Sequence, residues 1–424
     1  MISKNALLFS TIIFSMPGLA AETLEQAFTE ALNQNQRIVA AKANSQAAEQ
    51  QLFAAKGQRL PQLNVRSGYT QLSETPTAQT QVNGQTAQFP TGLSSSANAQ
   101  AIVSVPVFTS GRISHSIDAA KASALASRHD ETTTALTIKL QVANAFIAIL
   151  RAEKALQVAQ SHVTTLKAHA NDVNNFYQQG MVARNDLLAA QVELSNADQG
   201  VLQQENQLNI AQAQFNQLLN RDLATKVSLT EQFPELITGN LAELNQQAFS
   251  QRPEIITLAE QIQALEAQAA SEKANLWPQV NVNGGYQYQQ NRYQAYEGMW
   301  MANATIDWKI YDGSTAHRSD ALTQQAVALS SQRSDLTSAI SLQVRQAWLE
   351  TQETQKRVEV AKLAIGQADE NLKVSTERYQ QGLAVHSEVL DAEDLRIKSY
   401  DNFNNARYDA ITANLNLRRA LGIL

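Results

Sequence analysis

Two segments of this sequence return in the same order, and that repeat restricts the fold more than any other feature. Leu60-Pro61-Gln62-Leu63-Asn64-Val65, followed by Gly68-Tyr69, returns as Trp277-Pro278-Gln279-Val280-Asn281-Val282 with Gly285-Tyr286. Phe176-Tyr177-Gln178-Gln179-Gly180 likewise returns as Arg378-Tyr379-Gln380-Gln381-Gly382. Length alone, at about 100 to 200 residues per domain, would put roughly two to four globular units in the chain. A duplicated plan replaces that count with two structural repeats, residues 21–220 and 241–424, joined by a connector at 221–240 that holds Pro234 and Gly239. Only 16 Gly and 8 Pro are present to interrupt elements, so long unbroken helices follow.

Within each repeat the pattern predicts helix, strand, loop, strand, long helix, tight turn and helix. The first helices cover 22–58 and 241–275, the long ones 113–178 and 315–380, and the returning ones 185–219 and 387–421. At 1.5 Å per residue each long helix is on the order of 100 Å, too long to fold back into one compact core. The two shorter helices of each repeat have the length to stack end to end beside it. Val344, Thr351, Val358, Ile365, Leu372 and Tyr379 recur every seven residues, accompanied by Ala347, Thr354, Ala361, Ala368 and Ser375. Val142, Ile149, Leu156, Val163, Ala170 and Tyr177 repeat the pattern in the first half. A strict seven-residue period implies left-handed supercoiling, with the small residues letting neighbouring helices approach.

The strands separate a membrane protein from a plain helical bundle. Gln279, Asn281 and Asn283 alternate with Val280 and Val282, and Trp300, Ala302, Ala304, Ile306, Trp308 and Ile310 alternate with Asn303, Thr305, Asp307 and Lys309. Residues 63–72 and 98–108 take the same parts less cleanly. Of the 4 Trp and 10 Tyr, eight lie between Trp277 and Tyr311, as interfacial aromatic girdles require. Four strands per chain leave open edges that lipid does not tolerate, so other copies must close the sheet, and both a dimer and a trimer give acceptable barrels. The loops at 73–97 and 290–299 read as exposed caps.

Charge and composition remove other classes. Thirty-three basic against 39 acidic residues, a net charge of −6, offer no polycationic surface for nucleic acid. Zero cysteines exclude disulfides, thiolate metal sites and a cysteine nucleophile. Lys4, the apolar run 6–16 and Pro17-Gly18-Leu19-Ala20 form an export signal over residues 1–20. Beyond it the longest apolar stretch, 143–150, falls short of the roughly 20 residues of a transmembrane helix. Without a P-loop, G-x-S-x-G or H-E-x-x-H the chain reads as no enzyme, with no cofactor, so energy for transport comes from a partner. His162 and His169 share a helix face but lack further ligands for a metal. A periplasmic coiled-coil adaptor or structural protein of a transport assembly explains the heptads and the export signal, but not the aromatic strands.

Taken in order, Tyr379-Gln380-Gln381-Gly382, Glu388-Val389-Leu390-Asp391 and Leu415-Asn416-Leu417-Arg418-Arg419-Ala420-Leu421-Gly422 resemble the TolC-like outer-membrane efflux protein family. The resemblance covers essentially the whole chain after the export signal. It implies an α+β membrane protein: a homotrimeric transmembrane β-barrel with four strands per chain, set in outer-membrane lipid and continued by a long coiled-coil α-helical barrel in the periplasm. It implies a passive exit duct of a tripartite efflux or type I secretion system for drugs, small molecules or secreted proteins. A periplasmic adaptor and an inner-membrane transporter would recruit it. The sequence stops at Leu424, without the tail that some members wrap around the tunnel.

The same resemblance directs attention to the two helical turns. Gly180 and Gly382 suit left-handed helix C-caps, and Asn185 and Ser387 suit N-caps of the returning helices. Glu388 and Asp391, three apart, share one helix face and would form two stacked acidic rings in a trimer, although acids in a first turn also complement the helix dipole. The equivalent first-half positions are Asp186 and Ala189. Matching positions put a phenol donor at Tyr379 and a carboxylate acceptor at Asp186 for a gate; the family's basic residue two positions after the turn glycine is Ala384 here, and Arg184 stands near the other turn as a candidate gate residue.

Overall fold

The computed structural model describes residues 21–82 and 84–424. The export signal expected at 1–20 lies outside the described residues. The first helix, α1 (Leu24–Gln34), begins at a capping box: the Thr23 hydroxyl accepts from Gln26 N, and the Gln26 side chain accepts from Thr23 N. It does not continue to residue 58. Asn35 adopts extended backbone, its amide donates to Leu218 O at 2.8 Å, and α2 (Gln36–Gly57) starts afresh. The corresponding segment of the second repeat breaks before Pro253, which disfavours helical backbone at Arg252. It gives α5 (Leu241–Gln251) and α6 (Pro253–Lys273), followed by a short 3-10 turn. The long helices are α3 (Arg112–Gln178) and α7 (Thr315–Gln380), and the returning helices are α4 (Arg184–Leu218) and α8 (His386–Leu421).

Six strands are present among the described residues, where the sequence pattern counted four. β1 (Gln62–Gln71), β4 (Ser95–Phe108), β5 (Gln279–Gln289) and β6 (Gly298–Asp307) form one antiparallel sheet in the order β1-β4-β5-β6. The expected loop at 73–97 holds a second hairpin, β2 (Thr77–Val82) with β3 (Gln85–Pro90), whose Thr- and Gln-rich strands lack apolar alternation. β6 ends at Asp307 rather than Ile310, and the Trp308 indole donates to Leu276 O at 3.2 Å.

The chain divides into two compact units, and neither is one of the sequence repeats. Among the described residues the first comprises 21–39, Thr134–Gln251 and Ile340–Leu424, and the second those of 40–133 with Arg252–Ala339. In the first unit, Phe28 of α1, Phe146 of α3, Phe215 of α4 and Tyr408 of α8 meet in one core, with Phe146 edge-on to Phe215 at 6.1 Å and to Phe233 at 6.0 Å. Arg221 fastens the connector to Glu30 of α1 and to Glu22 just ahead of it, with a bidentate pair of bonds to each. The apolar content of α3 exceeds the sequence reading: an 18-residue window reaches a mean hydropathy of 1.5, long and apolar enough by composition to cross a membrane, and 44% of it is buried. Val142, Ala143, Phe146, Ile149 and Leu150 instead spend their apolar surface in this core. The heptad positions on α7 emerge as its covered side, with Val344, Ala347, Thr351, Thr354, Ala361, Ala368 and Tyr379 buried.

In the second unit the register sorts the sheet into two faces. Leu63 pairs with Val103, Val65 with Ala101, Ala101 with Tyr286 and Tyr286 with Trp300, so one apolar row crosses all four strands. The other face carries Gln62, Ser104, Asn283 and Asn303 in register. Apolar side chains on this sheet stand in the open, with Val65 at 73% and Trp300 at 81% exposure. The Ser319 hydroxyl donates to Ala269 O and the Ser271 hydroxyl to Arg112 O, tying α7 and α3 to α6 beneath the sheet's strand ends.

Candidate functional site

The two helical turns belong to the first unit and share one backbone solution. Gly180 has φ +72° and Gly382 φ +74°, left-handed values that a β-carbon disfavours. Met181 N donates to Phe176 O and Gly180 N to Tyr177 O, and Leu383 N to Arg378 O with Gly382 N to Tyr379 O repeats the pair. These are the two bonds of a Schellman cap. The N-caps differ from expectation. Ala183 and Val385 occupy the cap positions without a side-chain hydrogen bond, and Asn185 and Ser387 fall inside the first turn. The extended residue that opens each returning helix comes two positions earlier than expected, so Asp186 and Glu388 sit third in their helices, where a carboxylate complements the positive helix end.

Around these turns four helices share a small core. Val173 of α3, Ala190 of α4, Tyr379 of α7 and Val389 of α8 are buried together, with Phe176 and Leu187 packed against them. Tyr379 is 5% exposed and lies edge-on to His169 at 5.1 Å and beside Phe176 at 5.6 Å. Its hydroxyl is buried without a hydrogen-bond partner among the described residues, so the expected bond from Tyr379 to Asp186 is not formed within the chain. The ring is turned into the core. Burial first, and then the negative charges of Asp186 and Asp172, raise its ionisation above the usual phenol range. The Asp186 carboxylate accepts from the Asn185 amide at 3.1 Å. Arg184 is exposed and makes no ion pair among the described residues.

Glu388 is half-buried and Asp391 exposed, each one position before a buried residue of α8, Val389 and Ala392. Arg378 of α7 reaches Glu388 at 3.3 Å, a half-exposed pair worth about 0 to 1 kcal/mol. Asp391 is exposed, and Asp394, three residues on, continues the same acidic face. That third acid follows the same spacing and was legible by extending it.

Two contacts between α3 and α8 involve groups that sequence reading left unpaired. His162 Nδ1 lies 3.0 Å from the buried Glu393, which also accepts from Arg396 Nε at 2.8 Å. Burial alone would raise the Glu393 carboxyl, but the bonds from His162 and Arg396 outweigh it and hold it below the ordinary range. Seven residues away on each helix, His169 Nε2 and His386 Nδ1 lie 2.7 Å apart, with their rings nearly coplanar at 6°. The seven-residue spacing of His162 and His169 on α3 is thus matched by that of Glu393 and His386 on α8, running in the opposite direction. No cluster of three or more metal-ligating side chains is present among the described residues.

A family model described as outer membrane efflux protein matches residues 27–221 and 244–423. No curated sequence matches the chain. Among solved structures, the outer membrane protein VceC of Vibrio cholerae is 18% identical, with a TM-score of 0.77 over 94% of this chain and 96% of that one. The CmeC outer membrane channel of Campylobacter jejuni is 14% identical, with a TM-score of 0.78 over 94% and 85%. The open state of the Neisseria gonorrhoeae MtrE outer membrane channel is 18% identical, with a TM-score of 0.74 over 94% and 88%. At such identities the structures speak for the fold, the α+β arrangement of strands and long helices. The family model spans nearly all of both repeats, and on that ground the chain belongs to the outer membrane efflux protein family, whose members are outer-membrane efflux channels.

Proposed function

We propose that three copies of this chain form a passive conduit through the outer membrane, each repeat (21–220 and 241–424, linked by 221–240) supplying half of the strands and half of the helices. The four-stranded sheet carries the reading. It exposes an apolar row from Val65 to Trp300, and its outer strands β1 and β6 have no second partner among the described residues. Unpaired strand edges are untenable in lipid, and pairing β6 of one copy with β1 of the next closes a twelve-stranded barrel with the apolar rows outward. The helices would extend that lumen into the periplasm.

The turn cluster would be the periplasmic entrance, with Glu388 and Asp391 as rings of negative charge at the constriction. Tyr379, Asp186 and Arg184 would set how tightly the turns of neighbouring copies close. A periplasmic adaptor and an inner-membrane transporter would open the entrance and supply the energy. Drugs, small molecules or secreted proteins would be the cargo. The test is the mass of the detergent-extracted protein by light scattering, with detergent subtracted. A value near three chains is expected, and a monomer that conducts would overturn the closure argument.

A further inference from the structure

The two contacts between α3 and α8 differ in what each α3 histidine faces. His162 lies against the Glu393 carboxylate at 3.0 Å. His169 faces another imidazole. At neutral pH one ring donates to the other, and His386 Nε2 and Tyr379 Oη remain buried without hydrogen-bond partners among the described residues. His169 is 5% exposed, so an added charge is placed where water does not reach and no carboxylate is hydrogen-bonded to it.

We propose that the His169–His386 pair is a proton-operated latch: neutral, it fastens the α7–α8 turn to α3; charged, it releases that turn. The proposal rests on the reading of these turns as the channel entrance. The groups facing the pair come from every helix around it. Asp172 on α3 and Asp186 and Glu193 on α4 favour a charged imidazole, while burial and the partner imidazole oppose it, with the Tyr379 ring covering His169 from α7. The opposition wins. Burial, then the charge of His386, lowers His169 from 6.5 to about 4, and burial lowers His386 as well. A base whose charged form is disfavoured in the packed state stabilises that state fully above its ordinary value, and the stabilisation is lost as the pH falls from 6.5 to about 4. Within that window the ratio of released to latched states rises by up to about tenfold per pH unit for one proton.

The experiment is single-channel recording of the full chain in planar bilayers between pH 7 and pH 4. The expected result is a rise in open probability below pH 6.5 that disappears in His169→Phe, a ring of similar size that takes no proton, and persists in His317→Gln, at an exposed histidine. An undiminished acid step in His169→Phe overturns the latch. A second measurement needs neither conduction nor the variant. Hydrogen exchange of the wild-type protein, corrected for intrinsic rates, should accelerate on acidification at 166–173 and 386–393 but not at 142–150; uniform protection throughout overturns the proposal. A protein that conducts at no pH defeats the channel reading alone, and the exchange result still decides the latch.

Discussion

After α3 the chain turns at Gly180, and after α7 it turns at Gly382, with the same glycine conformation and the same two hydrogen bonds. The Tyr-Gln-Gln run before each glycine is kept, but the side chains around it and the burial of the tyrosine differ. Tyr177 is 38% exposed whereas Tyr379 is 5% exposed; Phe176 and Arg184 on the first turn correspond to Arg378 and His386 on the second. Asp186 and Ala189 correspond to Glu388 and Asp391. Duplication therefore kept the turn glycine, its backbone hydrogen bonds, the Tyr-Gln-Gln run before it and one acid after it, and changed the packing around them. The second turn gathered the acidic face, an ion pair and one half of the buried histidine pair, while the first contributes mostly packing.

That contrast breaks most visibly at the paired tyrosines. Truncating a buried aromatic ring removes its transfer energy and leaves a cavity, so Tyr379→Ala should lower stability by roughly 3 kcal/mol while Tyr177→Ala, half in solvent, costs under about 1 kcal/mol. Denaturant unfolding of the solubilised protein measures both, and equal losses would erase the asymmetry. A smaller effect belongs to the acids. A unit charge a few ångströms from a passing ion contributes about 1 kcal/mol in a water-like dielectric, so Glu388→Ala with Asp391→Ala should cut cation preference roughly fivefold. Reversal potentials in a salt gradient read this, and a matching drop in Asp186→Ala would show that both turns line the constriction alike. The smallest change is expected of Tyr379→Phe. Its hydroxyl has no partner within the chain, so deleting it should move stability by no more than about 0.5 kcal/mol. A loss beyond about 1 kcal/mol would mean that a neighbouring copy supplies the missing acceptor.

The long helices were legible almost to the residue, since an unbroken heptad bounded by glycine leaves few other endings: 113–178 was expected and Arg112–Gln178 is found. The break at Asn35 was not, because the group that rewards it, the Leu218 carbonyl, lies 183 residues away. The expectations of one helix over 241–275 and a loop over 73–97 both overlooked local signals, Pro253 for the break and the hairpin dipeptide Asn83-Gly84 between β2 and β3. At the turns, Glu388 and Asp391 stood out through their three-residue spacing together with the family resemblance. His386 did not, since its meaning depends on which helix α8 packs against. The inward turn of Tyr379 likewise depends on His169 and Phe176, both on another helix.

The strand order β1-β4-β5-β6 has a consequence for how a growing chain acquires this sheet. β5 and β6 are neighbours in sequence and β1 and β4 are separated only by the β2–β3 hairpin, so each pair can form as its segment leaves the ribosome. The central ladder cannot. Its two strands are separated by about 170 residues, and closing a loop of that length costs on the order of 4 to 5 kcal/mol in chain entropy before the first bond forms. Until Gln279 has been made, β4 presents an open, partly apolar edge that any other strand can take, including the same strand of a neighbouring nascent chain. The interval between Phe108 and Gln279 is therefore the period when this protein most needs a holding chaperone, and a truncation falling inside it should yield aggregates rather than half a channel.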